Sequence, residues 1–528
     1  EIAAEVEDYL GDLDAIDRTV CKIDLIEEVE LERRVRLTVK LILDGVDHCG
    51  RFLQDRMFYR WHLVNEGDGA ARPTVWRISS DELLEGVRVA GERRSFMALD
   101  PQLAGIDFHH RWDPKLDMKR YRSELKFGVI QHASGGISAA DYDLDGRSDL
   151  LFLDGRRCRL YRNQGTTAAG APSFADVTAA VGLEGLDQAH VGIFADFDND
   201  GDRDLFVGRY LAPSRFYRND GSDSGGGPRF TDVSAEMGID VSLPVTSATL
   251  LDFDRDGFLD LYVGVNGNAF EALPRLPFFA QNGQPNRLFR NDGGRRFVDV
   301  TAATGTGDVG WSLAVAAGDV DGDGWPDLVV ANDFGRKSLY RNRGGVVFAE
   351  IAKRAGVLDF SGGMGLAFGD YDDDGRVDLY TSNINSNQRW FGEDMTISQY
   401  IRNVLRSRWM IADLAEYIEL YRLVGKDWVD LGTQIGEGNS LFRNAGPRTA
   451  GLRNAGPRTA GLRNEELRKE RPPSAPSFGG VTFEEVKDSH ADRAGWSWGV
   501  AFFDMDNDTD LDLYAANGWI SNTPETDL

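Results

Sequence analysis

Asp319-Val-Asp-Gly-Asp-Gly-Trp-Pro-Asp327, running directly into Leu-Val-Val-Ala-Asn332, is the stretch whose reading decides the fold. Its carboxylates stand at positions 1, 3, 5 and 9, with Gly324 at position 6. Hard cations such as Ca²⁺ take about six to eight oxygen ligands, so alternate Asp side chains folded inward by a glycine turn form a plausible cage. An EF-hand loop begins in the same way but needs a Glu at position 12 and then a helix. Here position 12 is Val330, inside an apolar β-type run. The loop is therefore expected to join two strands, which excludes a calmodulin-like arrangement.

The pattern recurs five more times. Asp141, Asp143, Asp145 and Asp149 match it, as do Asp196, Asp198, Asp200 and Asp204, and Asp252, Asp254, Asp256 and Asp260. Downstream stand Asp370, Asp372, Asp374 and Asp378, then Asp504, Asp506, Asp508 and Asp512. Five loops keep the glycine. The sixth has Thr509 in its place, which predicts a turn that forms less easily and binds more weakly.

The flanks of each loop repeat as well. A Gly- and Ala-rich segment such as Gly135–Ala140 or Gly365–Gly369 enters it, and a run such as Asp-Leu-Tyr-Val-Gly264 leaves it. A third segment ends in Tyr/Phe-Arg-Asn at Asn163, Asn219, Asn291, Asn342 and Asn444, and a fourth begins at Phe174, Phe230, Phe297, Phe348 and Phe483. Asn-Asp-Gly at Asn219–Gly221 and Asn291–Gly293 supplies the positive φ that a tight hairpin needs. Four strands per unit, with successive uninterrupted units 51 to 67 residues apart, predict the blades of a β-propeller. The small residues of the first strand suit a crowded axis.

The expected fold is thus mainly β: a calcium-binding propeller with six motif-bearing blades, six or seven in total, over residues 93–528. A small α+β domain precedes it at 1–92. Glu1–Ile16 reads as an acidic helix, and Thr19–Glu30, Arg34–Val46, Phe52–Asn65 and Thr74–Ile78 read as strands. Val35, Leu37, Val39, Leu41 and Leu43 alternate with Arg36, Thr38 and Lys40, as in a half-buried antiparallel strand. The order loosely resembles the nuclear-transport-factor-2-like cone fold.

Two insertions interrupt the repeats. Ala269–Pro285 is a Pro-containing loop, and about Gly392 to Glu437 carries Ile397, Ile401, Val404, Ile411, Leu414, Ile418 and Tyr421 at helical spacing. One or two amphipathic helices packed on the propeller edge are expected there, with a docking or lid element as the functional alternative. Around 445–477 the ten residues Arg-Asn-Ala-Gly-Pro-Arg-Thr-Ala-Gly-Leu occur twice in tandem, from Arg443 to Leu462, in a polar low-complexity loop.

Composition sets limits. A net charge of -27 argues against a nucleic-acid partner. Much of it sits in the loops, whose 24 carboxylates would be met by twelve positive charges from six divalent ions. Only Cys21, Cys49 and Cys158 are present, so there is no disulfide framework or zinc ribbon, although Cys21 and Cys49 remain a candidate pair. No apolar run approaches the roughly 18 residues of a transmembrane segment. The start at Glu1, without Met or a signal-like segment, reads as a processed or truncated product.

The Asp loops, the Tyr/Phe-Arg-Asn endings and the Phe-x-Asp-Val-Thr segments together resemble the FG-GAP/VCBS repeats of integrin-α-like propellers. They are most similar to the bacterial branch related to cartilage acidic protein and the ASPIC/UnbV proteins. The resemblance covers about residues 95 to 528. It implies that the first, third, fifth and ninth Asp of each loop ligate Ca²⁺, at about six sites. It also implies a further ligand from the backbone carbonyl at position 7: Arg147, Asp202, Phe258, Trp325, Arg376 and Asp510. The family often continues into a further blade and an ASPIC domain, whereas this chain ends soon after Ile520. Ring closure by a sequence-distant strand is expected, because Phe96–Leu99 matches a fourth strand and the last unit lacks one.

Catalytic constellations are sparse. There is no His-Glu-x-x-His, Gly-x-Ser-x-Gly, Cys-x-x-Cys or phosphate-cradling Gly-x-x-x-x-Gly-Lys. Asp488-Ser489-His490 and His109-His110 have suggestive residue types, but immediate neighbours rarely converge in the needed geometry. Gly310-Trp-Ser312 and Gly495-Trp-Ser497 recur at one strand position, which reads as packing or a rim aromatic. The leading reading is a non-enzymatic, Ca²⁺-stabilised scaffold for a protein or glycan partner, periplasmic, cell-surface or secreted, where calcium is millimolar. A polysaccharide-active or hydrolytic enzyme on a propeller scaffold is the first alternative, and a structural subunit of an envelope assembly the second.

Overall fold

The computed structural model describes residues 13–30, 34–47, 52–65, 76–91, 101–109, 135–155, 157–167, 171–221, 228–239, 242–268, 274–275, 279–383, 414–425, 438–447, 481–486, 491, 497–505 and 509–517. The chain divides into two compact units, Glu1–Ala98 and Leu99–Leu528. Both are mainly antiparallel β-structure.

In the first unit the branched and aromatic runs form four strands, Leu13–Glu30, Arg34–Asp47, Phe52–Asn65 and Trp76–Gly91, each bonded to the next. Val39 and Leu43 are buried, and Met57, directly opposite Leu41, is buried with them. The sequence reading changes at both ends of the sheet. Leu13–Ile16 is strand, with Ile16 opposite Gly45 and Ala15 opposite Val46, so pairing outweighs a weak helical preference. Residues 1–12 of the expected helix lie outside the described residues. The fourth strand continues past Ile78 to Gly91, through polar residues of weak β-propensity, because the whole third strand is available as its template.

The second unit contains five four-stranded antiparallel repeats and a sixth with two described strands. The first comprises Gly136–Ala140, Asp149–Leu153, Cys158–Thr166 and Pro172–Asp176. The second comprises Ala189–Ala195, Asp204–Pro213, Arg215–Asn219 and Phe230–Asp232. Ser242–Leu251, Asp260–Val265, Arg287–Asn291 and Phe297–Asp299 form the third, and Ser312–Gly318, Asp327–Asn332, Ser338–Asn342 and Phe348–Glu350 the fourth. The fifth has Gly363–Gly369, Asp378–Asn383, Ser440–Pro447 and Val481–Glu485, and the sixth Ser497–Phe503 and Asp512–Asn517. In every repeat the ninth Asp of the loop is the first residue of the second strand.

Successive sheets stack face to face, which explains why the second strands show no polar alternation. Leu261 and Val263 point into a cluster shared with Phe197, Phe206 and Phe216 of the preceding repeat. Tyr262, between them, points into the next cluster with Val315, Leu328 and Val330. Val329 in turn faces Leu379 and Phe442 of the fifth repeat. A strand covered on both faces buries its odd and its even side chains alike. The second and third repeats are also joined edge to edge, because the second strand overruns its neighbours and Tyr210–Pro213 pairs with Ser242–Pro244.

In the first three repeats the Phe-x-Asp-Val-Thr/Ser segment ends the repeat by a local hydrogen-bond device. Asp299 accepts the Thr301 N–H, and Thr301 Oγ1 accepts the N–H of Leu288 on the third strand. Thr178 and Ser234 do the same for Leu160 and Phe216. The following turn packs on the next repeat: Phe230 N–H donates to Val181 O at 2.9 Å. Ala104 repeats this contact ahead of the first blade, accepting the Phe174 N–H at 2.8 Å.

In the large insertion the described residues form one helix, Leu414–Val424. It is tied to the unit by Glu416 to Arg275, 3.8 Å apart, and by Lys353 Nζ donating to Leu423 O. The apolar stripe read from the sequence is only partly right. Leu420 and Glu416, one turn apart, are buried, whereas Ile418 and Tyr421 are exposed. The third strand of the fifth repeat reaches Pro447, taking in the first residues of the expected low-complexity loop, and 448–480 lie outside the described residues. So do Phe96–Leu99, Cys49, His110, Trp496 and Asp488–His490.

Candidate metal centres

Each Asp loop is a small hydrogen-bonded machine built by its own spacing. In the loop opened above, Asp319 accepts the N–H groups of Asp323 at 3.1 Å and Gly324 at 2.7 Å, and Asp323 accepts that of Trp325 at 3.0 Å. Asp327 accepts the N–H of Val320 at position 2 and that of Asn342 on the third strand. These contacts recur around Asp141, Asp196, Asp252 and Asp370. Positive φ falls at position 6 in all five, from 82° at Gly375 to 95° at Gly201, and Thr509 adopts 83° in the sixth. Thr509 N–H still reaches Asp504 Oδ2 at 3.0 Å, so the threonine makes the glycine turn at a steric cost instead of avoiding it.

The turn draws carboxylates together. Oxygens of Asp141, Asp143 and Asp149 lie within 4.8 Å of one another, as do those of Asp252, Asp254 and Asp260 and of Asp319, Asp321 and Asp327. In the second and fifth loops the corresponding sets are Asp196, Asp198 and Asp200, and Asp370, Asp372 and Asp374. The remaining carboxylates of the described loops have other partners. Asp204 and Asp378 each accept two backbone N–H groups, and Asp145, Asp256 and Asp323 each hold the N–H of position 7. Asp506 and Asp508 lie outside the described residues.

The protein's own cations balance the charge of these clusters only in part, through Arg162 at Asp143, Arg341 at Asp321 and Arg443 at Asp372. Both oxygens of Asp143, Oδ1 of Asp254 and Oδ2 of Asp321 are buried with no hydrogen-bond donor. Burial pushes the ninth carboxyl of the first five loops up, to about 6 at Asp149 and Asp378 and about 7 at Asp204, Asp260 and Asp327. Buried carboxylate oxygens converging without donors fit a hard, oxygen-seeking divalent ion. The converging carboxylates, at positions 1, 3 and 9 in the first, third and fourth loops and at positions 1, 3 and 5 in the second and fifth, would hold it.

The Tyr/Phe-Arg-Asn ending, legible in sequence only as a strand terminus, is the second half of the site. Its aromatic, such as Phe289 or Tyr340, joins the core between sheets. Its Asn donates Nδ2 twice: to the carbonyl at position 8 of its own loop and to the position-2 carbonyl of the preceding loop. Thus Asn219 reaches Tyr142 at 3.0 Å, Asn291 Phe197 at 2.8 Å, Asn342 Phe253 at 2.9 Å and Asn444 Val320 at 2.7 Å. Its Arg turns to the loop: Arg162 to Asp143 and Asp145, Arg341 to Asp321 and Asp323, Arg443 to Asp372 and Asp374. Position 7 adds further contacts. Arg147 and Arg376 each bond the carbonyl of the motif Asn, and Trp325 stacks under Arg255 of the preceding loop, 4.4 Å from its ring centroid.

These repeats match known proteins. The FG-GAP-like repeat family matches residues 141–207, 196–263, 278–330 and 319–381. Cartilage acidic protein 1 of Mus musculus is 26% identical over 213 residues, 39% of this chain and 30% of that protein. The Xenopus tropicalis protein is 31% identical over 216 residues, with the same shares. The matched region thus spans less than a third of the length of these relatives. Among solved structures, an Agrocybe aegerita lectin described as recognising non-reducing terminal N-acetylglucosamine aligns at 16% identity, covering 66% of this chain and 76% of its own, with a TM-score of 0.31. A Trypanosoma rangeli sialidase aligns at 10% identity, covering 60% and 42%, with a TM-score of 0.22. At these scores neither likeness bears on fold or ligand. The repeat match, the recurring loop geometry and the cartilage acidic protein relatives agree: residues 141–263 and 278–381 of this chain are FG-GAP-like repeats in a β-propeller-like arrangement of sheets.

Proposed function

We propose that residues 93–528 form a calcium-clipped propeller of six blades that serves as a non-enzymatic scaffold outside the cytoplasm, offering its loops to a protein or glycan partner. The observation that carries the reading is the convergence of three carboxylates within 4.8 Å of one another in each of five loops, with Asp143 Oδ1 and Asp254 Oδ1 buried and lacking any donor. A divalent ion would relieve their mutual repulsion and join the two strands that each loop connects. Its ligands would be the carboxylates at positions 1, 3, 5 and 9 and the carbonyl at position 7. Millimolar calcium, as outside the cytosol, suits such shallow oxygen sites.

Closure of the ring is supported by the turn at Ala104 and Gly105. It sits on Phe174 as the turn after each later fourth strand sits on the next repeat. The preceding sheet, residues 1–92, would be a separate domain.

Chelation tests the calcium reading. EDTA should lower the melting temperature of the whole chain, calcium should restore it, and magnesium, which dehydrates reluctantly and demands stricter octahedral geometry, should restore it less. A melt indifferent to both chelator and calcium would remove the reading.

A further inference from the structure

Three loops carry a positive charge of their own. Arg162 Nε lies 2.5 Å from Asp143 Oδ2, and its Nη2 3.4 Å from Asp145 Oδ2. Arg443 Nε lies 2.5 Å from Asp372 Oδ2, with Nη2 3.1 Å from Asp374 Oδ2. Arg341 grips Asp321 and Asp323 in the same way. The guanidinium fork therefore spans positions 3 and 5. The fit is that of a charge and not of a full hydrogen-bond set, since Asp143 Oδ2 and Asp321 Oδ2 receive no aligned N–H despite their close nitrogens.

The second loop is different. Arg218, at the same place in the motif, pairs with Asp220, 3.0 Å away, and reaches Asp198 only as a distant charge. The third is intermediate: Arg290 is within electrostatic reach of Asp254, but its buried Nε bonds to nothing.

Resting on the calcium reading, we infer that Arg162, Arg341 and Arg443 are tethered counter-ions that compete with the divalent ion for the position-3 and position-5 carboxylates of the first, fourth and fifth loops. A guanidinium and a Ca²⁺ ion cannot both sit close to the same two carboxylates without repelling one another, so the arginine must swing out or the ion binds less tightly. The loops consequently fall into two classes. The arginine-paired loops hold their turn when calcium is scarce and fill late. The second loop, whose Arg218 is committed to Asp220, has no cation in contact with its position-3 and position-5 carboxylates and fills early.

Calcium titration of the full chain by calorimetry, with R162Q, R443Q and the R162Q/R443Q double variant, tests this. Arg162 and Arg443 have side chains 44% and 41% exposed, so glutamine there is compatible with folding. Each single substitution should move one site from the weak to the tight class, tightening it by up to about fivefold, and the double variant should move two. In EDTA the same variants should melt below the parent chain, having lost the cation at position 3 and keeping only Arg147 on Asp145 and Arg376 on Asp374. R218Q should change neither titration. A parent chain that binds calcium, with variants of equal or weaker affinity, overturns the inference and leaves the calcium reading intact. A parent chain that binds no calcium removes that reading and the inference with it.

Discussion

Asn291 is the most exacting place to perturb the account, because one buried amide ties two repeats together. It is fully buried. Nδ2 donates to Phe197 O of the preceding loop at 2.8 Å and to Leu259 O at 3.1 Å, while Oδ1 accepts the Gly294 N–H at 2.8 Å. Asn291→Ala removes all three bonds and leaves two carbonyls and an N–H buried without that partner. At about 1 kcal/mol net per bond, and somewhat more for groups left unsatisfied, the cost is about 3–4 kcal/mol. Asn163 provides the internal control. It donates to Ser148 O and accepts from Gly165 but is only half-buried, so Asn163→Ala should cost about 1 kcal/mol. Denaturant unfolding measures the difference, and hydrogen exchange locates it. Exchange should accelerate in the second loop, around Phe197, although the substitution is in the third repeat. Equal costs for the two variants, or faster exchange confined to the third repeat, would refute the idea that the motif Asn joins neighbouring loops.

Two further outcomes follow from single residues. Thr509 holds a φ of 83° that suits glycine, so Thr509→Gly should stabilise the sixth repeat by about 1–2 kcal/mol; a loss of stability in thermal unfolding would mean that the threonine side chain makes a contact worth more than the strain. Asp333 is buried, its Oδ2 has no donor, and burial alone raises its carboxyl to about 7. The folded state therefore takes up this proton before the unfolded state does. Stability from this group is complete below the ordinary pKa of about 3.9 and is lost as pH rises toward 7, with a slope of at most about 1.4 kcal/mol per pH unit. Asp333→Asn should remove that slope and stabilise the chain near pH 8, and parallel pH profiles for the two proteins would contradict the assignment.

The loops were legible in the sequence because a turn that gathers carboxylates fixes their spacing rigidly, and because the ninth Asp is also the first residue of a strand. The strand order was legible for the same reason, since Phe297 and Asn291 mark ends that the structure reproduces. What escaped was long-range. The Asn ties join residues 77 to 124 positions apart, so no local window contains both partners. The pairing of Tyr210–Pro213 with Ser242–Pro244 depends on how far one strand overruns its neighbours. Helical spacing put Ile418 and Tyr421 on a candidate buried face, whereas docking through Arg275 and Lys353 selects the face with Glu416 and Leu420. In the first unit, pairing with Gly45 and Val46 made strand of Ala15 and Ile16, which composition alone read as helix.

The central claim is that the Asp loops are cation clips, and counting ions tests it most directly. The whole chain, dialysed against millimolar calcium and washed of loosely held ions by rapid desalting, should carry several calcium ions by elemental analysis, approaching about six when measured at equilibrium. Replacing Asp196 and Asp198 with Asn should remove one of them. A chain that holds no calcium at equilibrium, or a count unchanged by that replacement, would contradict the account.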